Sequence, residues 1–176
     1  MDTGATSFTA TNTIIDISGS GAGINNNADT SNINLNGVTI NASDGPAIRT
    51  AVTFNAAGTN NTLNISGSGY GFAFMNATGN PTTGNLTIAN GYTINGNGAN
   101  SVGILARTAG NVSSGATINM AAGAGSAIVA TDGVANTART ITNTGTINSL
   151  GTGAAVINAS GAGNTTVNNS GTLLAA

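Results

Sequence analysis

The sequence contains no cysteine, histidine, lysine, glutamate, glutamine or tryptophan. Without cysteine and histidine there is no thiol or imidazole nucleophile, no common zinc ligand set and no Ser-His-Asp triad. Without lysine there is no P-loop lysine and no Schiff base. Charged residues make up 5% of the chain, against about 25% in ordinary soluble domains. Three arginines (Arg49, Arg107, Arg139) and a net charge of -2 cannot neutralise a phosphate backbone, so nucleic acid is not an expected partner. No apolar run approaches the roughly 18 residues of a membrane helix. Met1-Asp2-Thr3-Gly4 has neither the basic nor the apolar region of a signal peptide, so a secreted origin implies a mature piece behind an added Met. The five aspartates (Asp2, Asp16, Asp29, Asp44, Asp132) are scattered. Asp16 and Asp44 fall near adjacent repeats, yet a glycosidase or lyase pair needs closer clustering. Calcium-binding solenoid repeats of the G-G-x-G-x-D type are missing as well. The expectation is a chain that is not an enzyme, with no cofactor and no metal.

What the sequence does hold is Asn, Thr, Ala and Gly in abundance, with 39% hydrophobic residues spread evenly along the chain. Gly, Asn and Thr disfavour helix. Such a composition also suits disorder, but isolated aliphatic residues recur with a period. The triplet Thr39-Ile40-Asn41 returns as Thr93-Ile94-Asn95, Thr117-Ile118-Asn119 and Thr146-Ile147-Asn148. With Ile17, Ile65 and Leu173 as degenerate copies, the steps are 23, 25, 29, 24, 29 and 26 residues. The segment from Ile17 to Ile24 nearly repeats from Ile65 to Phe72, two repeats later.

Two further apolar columns follow. One is Ile24, Ile48, Phe72, Ile104, Ile128 and Val156; the other is Ile33, Val52 or Phe54, Ile88, Val112, Ile141 and Val167. Three short strands in about 26 residues describe one rung of a parallel β-solenoid. Uneven steps suit a solenoid, whose loops can bulge while the inward columns stay aligned. An antiparallel sandwich is the alternative. Six to seven rungs stacked at about 4.8 Å make a rod about 30 Å long. The whole of 1–176 reads as one such unit, with residues 1–12 as an irregular start.

The strings Arg139-Thr140-Ile141-Thr142-Asn143-Thr144-Gly145-Thr146-Ile147 and Val167-Asn168-Asn169-Ser170-Gly171-Thr172-Leu173 resemble the I-x-N-x-G-x-I units of autotransporter passenger domains, the type V secreted proteins of Gram-negative bacteria. Ile88-Ala89-Asn90-Gly91-Tyr92-Thr93-Ile94 is a shortened copy. The resemblance runs over nearly the whole chain. It implies a right-handed parallel β-helix, an extracellular cell-surface location and a role in adhesion or biofilm self-association. It also implies that the chain is a fragment of a longer passenger.

Alternation places the residues flanking each inward Ile on the outer face. These are Thr39, Asn64, Thr93, Thr117 and Thr146 on one side, and Asn41, Ser66, Asn95, Asn119 and Asn148 on the other. The two polar ladders form a candidate surface for an identical passenger on a neighbouring cell, or for a host glycan or protein. The competing reading is that Asn and Thr stack on their own copies and hold the coil together. A passive stalk displaying a distal domain, an ice-binding surface and a polysaccharide-binding solenoid are further alternatives; mixed outer columns count against ice. A second polar column, Asn90, Ser114, Asn143 and Asn169, precedes Gly91, Gly115, Gly145 and Gly171. It reads as a structural corner, with Asn and Gly supplying positive φ. The arginines read as isolated surface charges or a grip for an acidic glycan, with Arg49 and Arg107 at matching positions and Asp132 as an ion-pair partner for Arg107. Phe72 and Phe74 point inward by alternation, leaving Tyr70 as a candidate stacking platform.

Overall fold

The computed structural model describes residues 2–3, 7–26, 30–75, 78–133, 137–150, 155–161 and 163–175. Among them there are twenty-one strands and no helix. They form three sheets of seven parallel strands, and each sheet takes every third strand of the chain. Sheet A holds Asp2–Thr3 (β1), Ile24–Asn26 (β4), Pro46–Thr50 (β7), Tyr70–Phe74 (β10), Val102–Arg107 (β13), Ile128–Gly133 (β16) and Ile157–Gly161 (β19). Sheet B holds Ser7–Thr11 (β2), Thr30–Asn36 (β5), Thr53–Thr59 (β8), Leu86–Ile88 (β11), Val112–Ser114 (β14), Arg139–Asn143 (β17) and Thr165–Asn169 (β20). Sheet C holds Ile14–Ile17 (β3), Thr39–Ala42 (β6), Asn61–Ile65 (β9), Tyr92–Gly96 (β12), Thr117–Met120 (β15), Thr146–Ser149 (β18) and Thr172–Ala175 (β21). This is the parallel β-solenoid of about 26 residues per turn that the repeat predicts. The start expected to be irregular carries β1 and β2.

The core is built from columns of like residues. In sheet A, Ile24, Ile48, Phe72, Ile104, Ile128 and Ile157 stack in register. The last member is Ile157, where Val156 was expected. Sheet C carries two inward columns. One runs Ile15, Ile40, Leu63, Ile94, Ile118, Ile147 and Leu173, and the other contains Ile17, Ala42, Ile65, Gly96 and Met120. The sequence period mixed the two, taking Ile17 and Ile65 from the second. Sheet B likewise has two inward columns, with Leu86 paired to Val112 and Ile88 paired to Ser114. Phe54, Phe72, Phe74 and Tyr92 are fully buried in the core. Phe72 meets Tyr92 edge-on, with ring centroids 5.5 Å apart. Tyr70 is half-buried, against Pro46 and Val102 on the rungs either side.

The corner between sheets B and C changes along the rod. On the first three rungs Asn12, Gly37 and Asn60 all have positive φ (49°, 67° and 56°), which these residues tolerate better than others. On the last rungs the path between register-equivalent positions of the two sheets is shorter, three residues from Ser114 to Thr117 against six from Ala56 to Thr62, and Gly115, Gly145 and Gly171 occupy it without positive φ. Here glycine is needed for closeness: a Cβ on Gly145 would strike the Ala116 carbonyl oxygen, and one on Gly171 the Gly145 oxygen. The expectation of positive φ at these glycines is thus corrected; backbone packed on backbone is the constraint.

Candidate functional site

Sheet C is the most regular of the three faces. Thr39, Thr62, Thr93, Thr117, Thr146 and Thr172 form one outer column. Asp16, Asn41, Asn64, Asn95, Asn119 and Asn148 form the other. Asn64 therefore belongs with the asparagines, and Thr62 takes the threonine position that had been expected of Asn64. Ser66 leaves the ladder altogether. It lies one residue past β9 and its hydroxyl turns to the Ala42 carbonyl. The error has a physical source: Ile65 and Leu63 both point inward, so both choices satisfy alternation, and only pairing with the neighbouring rungs separates them.

The asparagine column is a continuous chain of amide hydrogen bonds. Asn148 Nδ2 donates to Asn119 Oδ1 at 2.9 Å, Asn119 to Asn95 at 3.0 Å, Asn95 to Asn64 at 2.9 Å and Asn64 to Asn41 at 2.8 Å. Asn41 Nδ2 closes the series on Asp16 Oδ1 at 2.7 Å. Every bond points the same way. A carboxylate accepts and does not donate, so Asp16 ends the chain on the side where donors arrive. At the other end Leu174 stands in the next position of the column. Leu150 and Leu174 are 57% and 56% exposed and flank a shallow groove beside Asn148. Asp16 was read as an unclustered carboxylate; its place in the ladder became visible only with the register.

Each internal asparagine gives one N–H and accepts one bond within the ladder. Its amide holds a second N–H and a second lone pair. The side chains are half-buried, flanked by half-buried threonines. The face combines fixed rotamers with neutral donors and acceptors at a spacing of about 4.8 Å.

The corner column is partly as expected. Asn143 donates to Gly145 O at 3.2 Å and to Asn169 Oδ1 at 2.8 Å, and Asn169 donates to Gly171 O at 2.9 Å. Ser114 accepts from the Ala116 N–H at 3.3 Å. Asn90 is outside the column, because Ile88 occupies the place equivalent to Ser114. From Ile88 to Thr93 the chain takes two more residues than from Ser114 to Thr117, the register-equivalent pair, so equal spacing in sequence does not mean equal position. A further corner amide is Asn61, fully buried, which donates to Leu35 O at 2.6 Å and accepts from Val38 N at 3.1 Å.

The arginines serve the backbone. Arg139 is only 3% exposed. Its five N–H bonds reach Thr165 Oγ1 and the carbonyls of Thr108, Thr131, Ala130 and Ser160, at 2.8–2.9 Å. One guanidinium thus ties three successive rungs at the end of sheet A, and the reading as an isolated surface charge is corrected. Arg49 Nε donates to Asn25 Oδ1 at 2.9 Å, and Arg107 donates to the Gly79 carbonyl. Arg49 and Arg107 are not at matching positions, since Arg49 pairs with Ala73 and Arg107 with Thr131. The side chain of Asp132, expected beside Arg107, lies outside the described residues. Asp44 accepts from the Ser68 N–H and hydroxyl in a turn, away from Asp16. Among the described residues no group of three potential metal ligands occurs. Against protein-family models, curated proteins and solved structures, the chain has no match.

Proposed function

We propose that this chain is a self-association module of a bacterial cell-surface adhesin of the autotransporter passenger kind, and that contact is made through the outer face of sheet C. The carrying observation is the in-register pair of columns, six threonines beside five asparagines and one aspartate. The ladder bonds hold the amides in place, so little side-chain freedom is left to lose on contact. Weak neutral hydrogen bonds then add along the rod, and many copies on one surface multiply the effect.

The test uses cells displaying the parent protein. Thr62→Lys with Thr117→Lys places two positive charges two rungs apart on the face. Clumping is expected to fall several-fold, while Thr87→Lys on the outer face of sheet B leaves it unchanged. Equal clumping by all three, with the same circular dichroism, removes sheet C as the contact.

Ice binding is the second reading, and the register favours it. The threonine column is unbroken over six rungs, where the sequence suggested mixed columns. Thermal hysteresis of the purified chain, abolished by Thr93→Lys, is the expected sign; its absence excludes the reading.

A further inference from the structure

We infer that Asn90 is a modification site: in the folded chain its side-chain amide is exchanged for a carboxylate, through a cyclic imide formed with the backbone nitrogen of Gly91. The chemistry is the same whatever the rod binds. Four asparagines precede a glycine: Asn36, Asn90, Asn95 and Asn97. Glycine has no side chain to hinder its nitrogen, so each pair is chemically able to close the ring. The structure separates them.

Three of the pairs are locked. The Asn36 amide oxygen accepts from the Thr59 N–H and hydroxyl, its Nδ2 donates to Asn34, and the Gly37 N–H donates to Thr59 O at 2.9 Å. Asn95 is held on both sides in the ladder, and Gly96 is buried between Ile65 and Met120. Asn97 is exposed, but Gly98 is buried and its N–H donates to Ile65 O at 3.2 Å. Asn90 differs on every count. Its side chain is exposed at the turn between β11 and β12, without a hydrogen bond to any described residue. The turn is tied at its two ends, by the Ala89 N–H to Ala56 O and by the Asn61 N–H to Gly91 O, both at 2.9 Å. Between these ties the Gly91 N–H meets no acceptor among the described residues, and Gly91 is only half-buried. Packing imposes the pair as well. A Cβ on Gly91 would strike the Gly58 carbonyl oxygen, so glycine is required there. The glycines of the later corners, Gly115, Gly145 and Gly171, follow Ser114, Thr144 and Ser170, which carry no amide.

The step balances with water alone. Hydroxide takes the Gly91 N–H proton, and the nitrogen lone pair forms a bond to Asn90 Cγ. The Cγ–Nδ2 bond breaks, and ammonia leaves with a proton returned from water. A second water opens the ring. Attack at Cγ leaves aspartate; attack at the main-chain carbonyl leaves isoaspartate, with the backbone routed through the side chain. Either product adds a negative charge to a nearly uncharged rod. Isoaspartate also adds a methylene to the main chain, at a corner where Gly115 packs closely on the Asn90 backbone.

The purified full chain is kept at mildly alkaline pH in water enriched in heavy oxygen, and peptides covering the four pairs are read by mass spectrometry. Label is expected at Asn90 at least about tenfold faster than at Asn36, Asn95 or Asn97, since each of those sites must first open locally. In guanidinium, all four are expected to react at similar rates. Asn90→Ser removes the folded-state label at this position, and its melting temperature stays constant with age while that of the parent falls. Folded Asn90 reacting no faster than Asn97 overturns the inference. So does a folded parent that stays unlabelled while the unfolded chain reacts. A parent labelled at Asn90 that melts as it did when fresh overturns the lengthened main chain at the corner.

Discussion

Asn95 has a ladder bond on each side, to Asn64 and from Asn119, whereas Asn148 has only the one to Asn119. A net hydrogen bond is worth about 1 kcal/mol in a folded protein. Asn95→Ala is expected to cost about 2 kcal/mol and Asn148→Ala about 1 kcal/mol, read from urea midpoints at constant slope. Equal costs would mean that the ladder bonds carry no weight and the side chains merely pack. Tyr92 gives a second test at this scale. Its hydroxyl donates to Ala57 O at 2.8 Å, and burial raises the phenol well above its ordinary value. The unfolded phenol ionises near pH 10, while the folded one stays protonated. The folded chain therefore holds more protons above pH 10, and its stability falls as pH rises, by about 1.4 kcal/mol per unit. Below pH 10 the contribution is complete. Midpoints taken between pH 9 and pH 11.5 should show this decline in the parent and lose it in Tyr92→Phe.

The strands themselves are simple: a β-branched or aliphatic residue inward, Thr or Asn outward, and the same again on the next rung. The corners decide the register. Where the chain takes the wide turn, Asn12 and Asn60 hold positive φ, and the loss of Asn60 to Ala costs about 1 kcal/mol by left-handed strain alone. Where it takes the tight turn, the demand is for absent atoms. Gly145→Ala should destabilise by more than Asn60→Ala, since the new methyl meets the Ala116 carbonyl and both are backbone-anchored. Thermal melts of the two variants check the order. This is also where the sequence was hard to read. The inward column of sheet A was legible through five rungs: Ile24, Ile48 and Ile128 have no large apolar competitor two residues away, and only Phe72 and Ile104 have one, in Phe74 and Val102. In sheets B and C the pairs Leu86 and Ile88, or Leu63 and Ile65, offer two inward choices each. Ser66 and Asn90 were misplaced for that reason. Arg139 reads as a surface charge in the sequence because nothing local distinguishes it from Arg49; its bonds go to carbonyls 8 to 31 residues away.

At the scale of the whole molecule the rod is nearly one-dimensional, and each rung rests mainly on its two neighbours. Thr93 and Thr117 are in register on adjacent rungs. Removing residues 94–117 therefore joins Thr93 to Ile118 and deletes one turn without disturbing any column. Asn119 moves into the place of Asn95 and can donate to Asn64. This shortened chain is expected to fold, with the same β-sheet circular dichroism and a lower stability set by the lost rung. Removing 94–116 instead joins Thr93 to Thr117. The register then slips by one residue, sending Ile118 outward and Asn119 into the core. That chain buries an amide without its ladder partners, and is expected to aggregate or remain unfolded. If the shorter and longer deletions behaved alike, stacking in register would not be what holds the molecule together. A difference between two deletions that vary by a single residue isolates register from composition and from length, both of which they share almost completely.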